Sequence, residues 1–223
     1  MTIEFRTLTT AAELADLPAF EQRVWGMGDG VSLHMLVATV AEGGMAIGAY
    51  DDGRLVGSVY GFRTFEAGVL HSHYMAVDPA HRRGGLGSQL KRRQREWCLE
   101  RGIKAMRWTF DPLQLNNAHL NLHTLGAVGV AYHEDHYGVL GGINGNLPSD
   151  RLTVQWDLVG PPFSGHQAAA AEVPAVSTEE IAASAEAAII ARLAVRRQMK
   201  PLLSQGWRVT AIDRDSRVYT LSK

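Results

Sequence analysis

The segment from Arg82 to Gly87, which reads Arg-Arg-Gly-Gly-Leu-Gly, constrains the fold more than any other part of this sequence. The residues before it, from His71 to Val77, alternate with β-branched and aromatic character and predict a strand that ends at Asp78. The residues after it, from Leu86 to Arg101, have apolar side chains at helical spacing and predict a helix. A strand that enters a glycine turn at a helix N-terminus presents backbone N–H groups and the positive end of a helix dipole to an anion.

Two arginines strengthen this interpretation. Arg82 and Arg83 carry planar, forked donors that suit phosphate oxygens. A dinucleotide-binding loop is one alternative, but its Gly-x-Gly-x-x-Gly pattern requires a glycine where this chain has Leu90. A plain strand-to-helix connection with solvated arginines is the other. Because the turn is basic and joins a strand to a helix N-terminus, we predict that it holds a pyrophosphate.

The run from Val77 to Leu90 resembles the acyl-coenzyme A signature of the GCN5-related N-acetyltransferases (GNAT). That signature is Val-x-Pro, then Arg or Gln, two residues, Gly-x-Gly or Gly-x-Ala, and a helix, and every anchor is present here. The wider resemblance runs from about Met1 to Leu158 and is nearest to an uncharacterised bacterial branch of the family. The features shared with that branch are the paired histidines His71 and His73, the run Trp108 to Leu113, and Leu125-Gly126-Ala127.

The resemblance implies an α/β (α+β) GNAT fold, whose mixed central sheet is splayed at the acyl-CoA site. We expect a GNAT acyltransferase domain over residues 1–159, followed by a linker rich in proline and alanine over 160–177. Residues 178–223 predict a C-terminal extension made of a helix and a β-hairpin. Both a docked lid and a dimer element are consistent with this tail.

Several elements follow from local patterns. Thr10-Ala11-Ala12-Glu13 has the spacing of a capping box and predicts a helix through about Val24. A second helix is expected from Leu113 to Leu125, ended by Gly126, and a loop from Gly141 to Pro148. On the helix after the glycine turn, the pattern predicts a largely solvated basic face, formed by Lys91, Arg92, Arg93 and Arg95.

The resemblance also implies which residues bind the co-substrate, acetyl-CoA or another acyl-CoA. The strand backbone at Met75, Ala76 and Val77 would pair with the pantetheine arm in the manner of an added strand. Asn116 or Asn117 would contact the same arm. The phosphates would bind at the turn and the first residues of the helix, formed by Arg82, Arg83, Gly84, Gly85, Leu86, Gly87 and Ser88.

A general base is expected on the strand before the turn. Some family members place a glutamate six residues before the signature valine, where this chain has His71. An imidazole with a pKa of about 6.5 is mostly free to accept a proton at neutral pH. His71 and His73 alternate along one strand and are predicted to share a face. Ordinary packed histidines, a water chain that ends on either ring, and Glu66 remain open as alternatives.

The general acid is not indicated by the family pattern. The tyrosine that often serves in the family lies four residues before the glycine that closes the helix, which corresponds to Leu122 before Gly126. Water, Tyr132 or a histidine are therefore the candidates for protonating the leaving thiolate.

Metal ligation by histidines is an alternative to this interpretation. His119 and His123 stand at i and i+4 on a predicted helix, and further histidines occur in His71-Ser72-His73 and near His133. The helical pair lacks the glutamate of a His-Glu-x-x-His motif, and no cysteines accompany it. We expect no metal.

Composition excludes several other classes. An apolar content of 46% and a charged content of 20% suit a soluble domain with a core. The net charge of −1 offers no overall field for nucleic acid or for an anionic membrane. Cys98 is the single cysteine, so a disulfide framework is excluded, and we expect its thiol to be buried and inert. Without an apolar run of membrane length or a signal-peptide core, we expect a cytoplasmic protein.

The sequence thus predicts an N-acyltransferase that moves an acetyl or succinyl-type group to the amine of a small molecule, such as an amino acid, within a ternary complex. Arg63, Arg107 or Arg151 would receive a carboxylated acyl group. The expected partners are the amine acceptor and, if the tail is a dimer element, a second copy in a homodimer; neither nucleic acid nor membrane is expected. A non-catalytic acyl-CoA sensor and a metal-dependent hydrolase are the rival classes.

Overall fold

The computed structural model describes residues 2–26, 30–140, 147–172 and 184–223. Most of the loop expected from Gly141 to Pro148, and residues 178–183 of the expected C-terminal helix, lie outside the described residues. The chain divides into two compact units, residues 1–107 and 108–223. The domain boundaries expected from the sequence stay a prediction. None of the helices in the described part of the chain is both long and apolar enough to cross a membrane.

The first unit is a sheet with helices on its two faces. Its elements are β1 (Glu4–Leu8), α1 (Ala11–Leu14), α2 (Leu17–Trp25), α3 (Leu33–Ala41), β2 (Met45–Asp51), β3 (Arg54–Arg63), β4 (Val69–Val77), a 3-10 turn (Pro79–His81), α4 (Leu86–Leu99) and the first residues of β5 (Ala105–Phe110). Strands β1 to β4 pair in sequence order as an antiparallel meander. β5 then joins β4 in parallel, as expected after a helical crossover. This mixed sheet agrees with the predicted fold class.

The two faces of the sheet carry different helices. Leu14 of α1, Phe20 of α2 and Leu36 of α3 are fully buried in one cluster with Tyr60 of β3. Gly57 of β3 points to the opposite face, where an added Cβ would lie 3.1 Å from a methyl carbon of Leu90 on α4. The site described below is therefore held between two packed layers.

The predicted first helix is wrong in one respect, because it is two helices. Thr10 and Glu13 do form the predicted capping box, but α1 ends at Leu14 and α2 starts at Leu17. Pro18 lies in the first turn of α2, where its missing N–H costs no helical hydrogen bond. The proline therefore restarts the helix rather than continuing it.

The second unit combines a sheet with one long helix. Its elements are α5 (Leu115–His119), a π turn (Leu120–Thr124), β6 (Val128–His133), β7 (Val139–Leu140), β8 (Leu147–Pro148), β9 (Arg151–Asp157), β10 (Ala168–Glu172), α6 (Ala185–Ser204), β11 (Arg208–Asp213) and β12 (Val218–Ser222). The strand order is β9-β6-β11-β12-β10, and all of these pairs are antiparallel.

Two elements of this unit differ from the sequence prediction. The helix expected to end at Leu125 changes to π geometry, since Leu125 N–H donates to Leu120 C=O five residues back. Residues 168–172 of the expected linker form strand β10, which pairs with β12. The predicted C-terminal helix and hairpin are present as α6, β11 and β12.

The C-terminal hairpin joins the sheet through a close contact. Val209 of β11 pairs with Gly129 of β6. A Cβ on Gly129 would lie 2.7 Å from the Cβ of Val209, which is closer than real side chains approach. Only glycine at position 129 allows the hairpin to pack this closely.

Candidate functional site

The glycine turn forms an anion-binding cradle at the start of α4. The first intrahelical hydrogen bond runs from Gln89 N–H to Gly85 C=O at 3.1 Å. The N–H groups of Leu86, Gly87 and Ser88 precede that bond and point out of the helix end. Arg83 and Gly85 both have left-handed backbone, with φ of 66° and 80°. Such turns direct successive N–H groups toward one point, as an anion requires.

The cradle is open on its outer side. An added Cβ on Gly84 would have its nearest neighbour, His81 O, at 3.8 Å, and one on Gly85 would have Ser88 Oγ at 3.8 Å. Arg82 and Arg83 are exposed beside the glycines. The Arg82 guanidinium also donates from Nε to Val77 C=O at 3.1 Å, which leaves its terminal nitrogens for an anion.

Contacts that sequence reasoning missed fix the turn to the β2–β3 hairpin. Asp78 accepts from Ala80 N–H at 3.0 Å and from Arg54 at 3.2 Å. His81 Nε2 lies 3.1 Å from Asp51 Oδ2. The turn is thus anchored to the hairpin that β2 and β3 form. No local pattern indicates these pairs, since 30 residues separate Asp51 from His81.

Strand β4 has an open edge directly before the turn. Its ladder with β5 covers only Val69 to His71. Among the described residues of the first unit, no strand pairs with that edge from Ser72 to Val77. The backbone of Met75, Ala76 and Val77, predicted to bind pantetheine, lies in this stretch. Unpaired backbone groups at a strand edge can accept an extended ligand as an added strand.

The two predicted catalytic histidines lie side by side on β4. Their ring centroids are 5.9 Å apart, and the Phe62 ring lies 4.9 Å from His71 and 5.7 Å from His73. His73 is an extra residue in the ladder with β3, because Tyr60 pairs with Tyr74 while Gly61 pairs with Ser72. The two rings share one side of the sheet, as expected from their spacing.

The environment of His73 favours its neutral form. The centroid of its ring lies 5.8 Å from that of the Tyr60 ring and 6.3 Å from that of the Tyr74 ring. Desolvation by these neighbours lowers the pKa of His73, although part of the ring stays exposed. A neutral imidazole at neutral pH is able to accept a proton.

On the opposite face of β4, a buried lysine overturns one sequence prediction. Lys91 was expected on the solvated face of α4, but it is 3% exposed and donates to Ser72 Oγ at 2.6 Å. Gln94 Oε1 accepts from the same Ser72 hydroxyl at 2.9 Å. Lys91, Gln94 and Cys98 share the inner face of α4, because they are spaced by three and four residues. Cys98 is fully buried as expected, and burial raises the pKa of its thiol to about 12.

The asparagines predicted to contact pantetheine are exposed. Asn116 and Asn117 lie on α5, which begins at Leu115. Their backbone carbonyls accept the N–H of Leu120, while their side-chain amides face solvent. Both amides are therefore free to contact a ligand, and their role remains a prediction.

Tyr132 is held in a buried polar network of the second unit. Its hydroxyl donates to Asp150 Oδ2 at 2.7 Å, and Asp150 is fully buried. Arg196 donates to both carboxylate oxygens of Asp150, at 2.9 and 2.7 Å. Burial and the neighbouring Asp150 carboxylate raise the pKa of Tyr132. This arrangement retains the phenolic proton, which is unfavourable for the predicted role of Tyr132 as an acid.

The arginines predicted to receive a carboxylated acyl group all have protein partners. Arg107 donates to both carboxylate oxygens of Glu66, at 2.5 and 3.0 Å. Glu66, the alternative general base, is therefore held in an ion pair. Arg63 donates to Gly43 C=O at 3.2 Å. Arg151 is buried and donates to Asp150 C=O at 2.9 Å. A carboxylated acyl group would have to compete with these contacts.

Histidine pairs occur without a third ligand. The ring centroids of His119 and His123 are 4.7 Å apart, and those of His133 and His136 are 4.8 Å apart; both pairs are tilted. Within the described ranges, no three side chains of His, Cys, Asp or Glu come together as metal ligands would.

The comparisons with known proteins agree with this geometry. A search of curated proteins finds no match. The ribosomal-protein-S18-alanine N-acetyltransferase of Escherichia coli has a similar structure, with a TM-score of 0.59 and 16% identity, over 74% of this chain and 97% of that one. YncA of Salmonella typhimurium, a putative acetyltransferase solved with its cofactor acetyl-CoA, has a TM-score of 0.57 and 17% identity, over 75% and 100% of the two chains.

A third similar structure is the PaiA N-acetyltransferase of Thermoplasma acidophilum in complex with coenzyme A, with a TM-score of 0.51 and 17% identity, over 70% and 99% of the chains. At these identities the likeness shows a shared fold. The sequence itself matches the family described as the acetyltransferase (GNAT) family over residues 12–127, just over half of the chain. With the cradle and the open strand edge inside that range, the chain belongs to the GNAT acetyltransferase family.

Proposed function

We propose that this protein is an acyl-CoA-dependent N-acyltransferase. It moves an acetyl or succinyl-type group to the amine of a small molecule, such as an amino acid, by direct transfer in a ternary complex. The observation that carries the proposal is the continuity of the open β4 edge with the N–H cradle at the start of α4. CoA has an extended pantetheine arm, which suits the strand edge, and a pyrophosphate joined to that arm, which suits the cradle.

The cradle residues fit the phosphates of CoA. Gly84 and Gly85 leave the approach open, and the N–H groups of Leu86, Gly87 and Ser88 have no intrahelical acceptor. The exposed guanidinium groups of the turn add charge-assisted donors. Backbone donors bind the phosphate oxygens, while the arginines neutralise their charge.

The strand edge and the α5 asparagines would orient the pantetheine arm. Backbone groups of Met75, Ala76 and Val77 supply donors and acceptors for an extended ligand, which would share the Val77 C=O with Arg82 Nε. Amides of Asn116 and Asn117 supply further hydrogen bonds. Hydrogen bonds along the arm fix the thioester for attack by the acceptor amine.

His71 and His73 are proposed to manage the proton of that amine. In the transfer, the amine nitrogen bonds to the thioester carbonyl carbon, the carbon–sulfur bond breaks, and the CoA sulfur takes a proton. A neutral imidazole accepts the amine proton directly or through water. The lowered pKa of His73 keeps its ring available for this step at neutral pH.

Protonation of the leaving sulfur is assigned to water or to one of these histidines. Tyr132 stays a candidate only if its hydroxyl leaves Asp150, to which it donates at 2.7 Å. The position of the usual family tyrosine holds Leu122, which is buried and carries no proton to give.

A non-catalytic acyl-CoA sensor is the alternative function. It is favoured by that buried Leu122 and by the engaged hydroxyl of Tyr132. Under either function we expect a cytoplasmic protein that binds neither nucleic acid nor membrane, and a homodimer if the tail is a dimer element.

The test is the release of free CoA from acetyl-CoA and succinyl-CoA in the presence of a panel of amino acids and other small amines. Amine-dependent release would support the transferase and identify both substrates. CoA binding without release for any amine would favour the sensor. Absence of CoA binding would contradict both functions.

Two variant pairs resolve the site. Arg82→Ala should weaken CoA binding by roughly 10- to 100-fold, because a charge-assisted hydrogen bond is worth about 1.5–3 kcal/mol. Arg92→Ala removes the same charge from an exposed position of α4 and should change CoA binding little. His71→Gln and His73→Gln should instead lower kcat while CoA binding stays intact.

A further inference from the structure

A turn in the second unit leads directly to the predicted pantetheine ligands. Asp111 organises this turn, because its Oδ1 accepts from Leu113 N–H and its C=O accepts from Gln114 N–H, both at 2.9 Å. Helix α5 begins at Leu115, immediately after the turn, and carries Asn116 and Asn117. The direction of this short helix therefore depends on how the turn is held.

Two residues of the C-terminal region hold the turn from outside. Arg192 of α6 donates to both carboxylate oxygens of Asp111, at 3.2 and 2.8 Å. Tyr219 of β12 donates its hydroxyl to Pro112 C=O at 2.7 Å. Both side chains are buried, with Tyr219 at 0% and Arg192 at 4% exposure. The two contacts fix consecutive residues of one turn.

These contacts have the character of a rigid support. A bidentate pair between arginine and carboxylate restricts both distance and rotation. The tyrosine hydroxyl satisfies a backbone carbonyl that tertiary packing places beside it. Neither contact can be replaced by local structure, since Arg192 is 81 residues from Asp111 and Tyr219 is 107 residues from Pro112.

The support lies beyond the part of the chain that matches the family. That match ends at residue 127, whereas Arg192 and Tyr219 belong to the last 40 residues that the structure describes, 184–223. The turn and α5 lie inside the match. An added segment of this chain thus holds a part of the family domain.

We propose that the C-terminal extension positions the CoA-binding segment through Arg192 and Tyr219. By fixing the turn from Asp111 to Gln114, it orders α5 so that Asn116 and Asn117 are oriented before the pantetheine arm binds. Ordering these residues in advance lowers the entropy cost of binding. This inference rests on the proposed function, and it assigns Arg192 and Tyr219 as positioning residues.

The experiment compares two probes that differ in the pantetheine arm. CoA carries the arm, and adenosine 3′-phosphate 5′-diphosphate is the nucleotide end without it, with both phosphates of the pyrophosphate. Their dissociation constants are measured by calorimetry for wild type, Tyr219→Phe, Arg192→Met and Arg192→Lys. Arg197→Met is the matched control, because Arg197 is exposed on the same helix. Thermal melting establishes which variants are folded at the temperature of measurement.

We expect Tyr219→Phe, which removes only the hydroxyl, to weaken CoA binding by about 3- to 10-fold, the effect of one hydrogen bond. Arg192→Met should weaken it further, with partial recovery in Arg192→Lys. Binding of adenosine 3′-phosphate 5′-diphosphate should stay unchanged in each folded variant, and Arg197→Met should match wild type with both probes.

Three results would contradict these expectations. Unchanged CoA binding in folded Tyr219→Phe would overturn the positioning role while leaving the proposed function intact. An equal loss for both probes would also overturn it, because a general loss of structure does not depend on the arm. Wild-type protein that binds neither probe would overturn the proposed function together with this inference.

Discussion

Lys91 Nζ lies 2.6 Å from Ser72 Oγ, and both side chains are almost completely buried between α4 and β4. Ser72 stands between His71 and His73 in the sequence, but its side chain faces α4 while the two rings face the other side of the sheet. Gln94 completes the group by accepting from Ser72 at 2.9 Å and from Lys91 at 3.3 Å. This network joins the helix of the anion cradle to the strand that carries the predicted base.

The buried lysine predicts a pH-dependent stability. Burial lowers the pKa of Lys91 to about 7, whereas a lysine in the unfolded chain titrates near 10.4. Between these values the unfolded chain binds more protons than the native protein, so the free energy of unfolding rises with pH. We expect urea denaturation to show this rise from about pH 7 to about pH 10 in wild type and to show it lost in Lys91→Met.

Lys104 provides the control for that measurement, since its side chain is exposed. Lys104→Met should follow the wild-type pH dependence throughout. A Lys91→Met curve parallel to wild type would show that Lys91 keeps an ordinary pKa in the folded protein.

The cradle predicts a contrast between two neighbouring glycines. Gly85 has a φ of 80°, so alanine there should cost about 1–2 kcal/mol of stability for the left-handed backbone. Gly84 is not among the residues with positive φ, and an added Cβ would have no neighbour nearer than 3.8 Å. Gly84→Ala should therefore change the free energy of unfolding by less than about 0.5 kcal/mol. Equal losses in urea denaturation would refute a special backbone at Gly85.

The proposed base predicts the acid limb of the pH–rate profile. Desolvation lowers the pKa of His73 below its ordinary value of about 6.5, and only the neutral ring accepts a proton. As pH falls through that lowered pKa, kcat/KM for the acceptor should fall. We expect the midpoint below about 6.5. If His73→Gln retained the same limb and the same kcat, the base would have to be sought elsewhere, with His71 first.

Tyr132 and Asp150 predict a loss of stability separate from activity. Tyr132→Phe removes one buried hydrogen bond to Asp150 and should lower the free energy of unfolding by about 1–3 kcal/mol. Asp150→Asn removes the buried one of the two carboxylates that pair with Arg196 and should cost about 3 kcal/mol. We expect Tyr132→Phe to keep kcat within about twofold, because the Tyr132 hydroxyl keeps its proton in the hydrogen bond to Asp150.

Steady-state kinetics and urea denaturation on the same samples separate the two effects. A Tyr132→Phe protein that binds CoA normally but loses kcat by orders of magnitude would identify Tyr132 as the acid after all.

Features that depend on residues close together in the sequence could be predicted. The strand, glycine turn and helix around Arg82 follow from alternation, backbone freedom and helical spacing, and the structure contains all three. The capping box at Thr10 is also present. The prediction of one helix as far as Val24 was wrong because Pro18 begins a new helix, in whose first turn a proline is favourable. The prediction that Lys91 is solvated was wrong. Charged residues usually lie at the surface, but the spacing of Lys91 from Gln94 and Cys98 puts it on the inner face of α4.

The anion cradle, the strand that leads to it and the family follow from the amino-acid sequence, because each depends on dihedral preferences and spacings within a short stretch of chain. The burial of Lys91 against Ser72, the hydrogen bond that Tyr132 donates to Asp150, and the pair between Arg192 and Asp111 depend on how the chain packs. These pairs join residues 18 to 81 positions apart. Their energies come from desolvation and packing between elements, which no local pattern encodes.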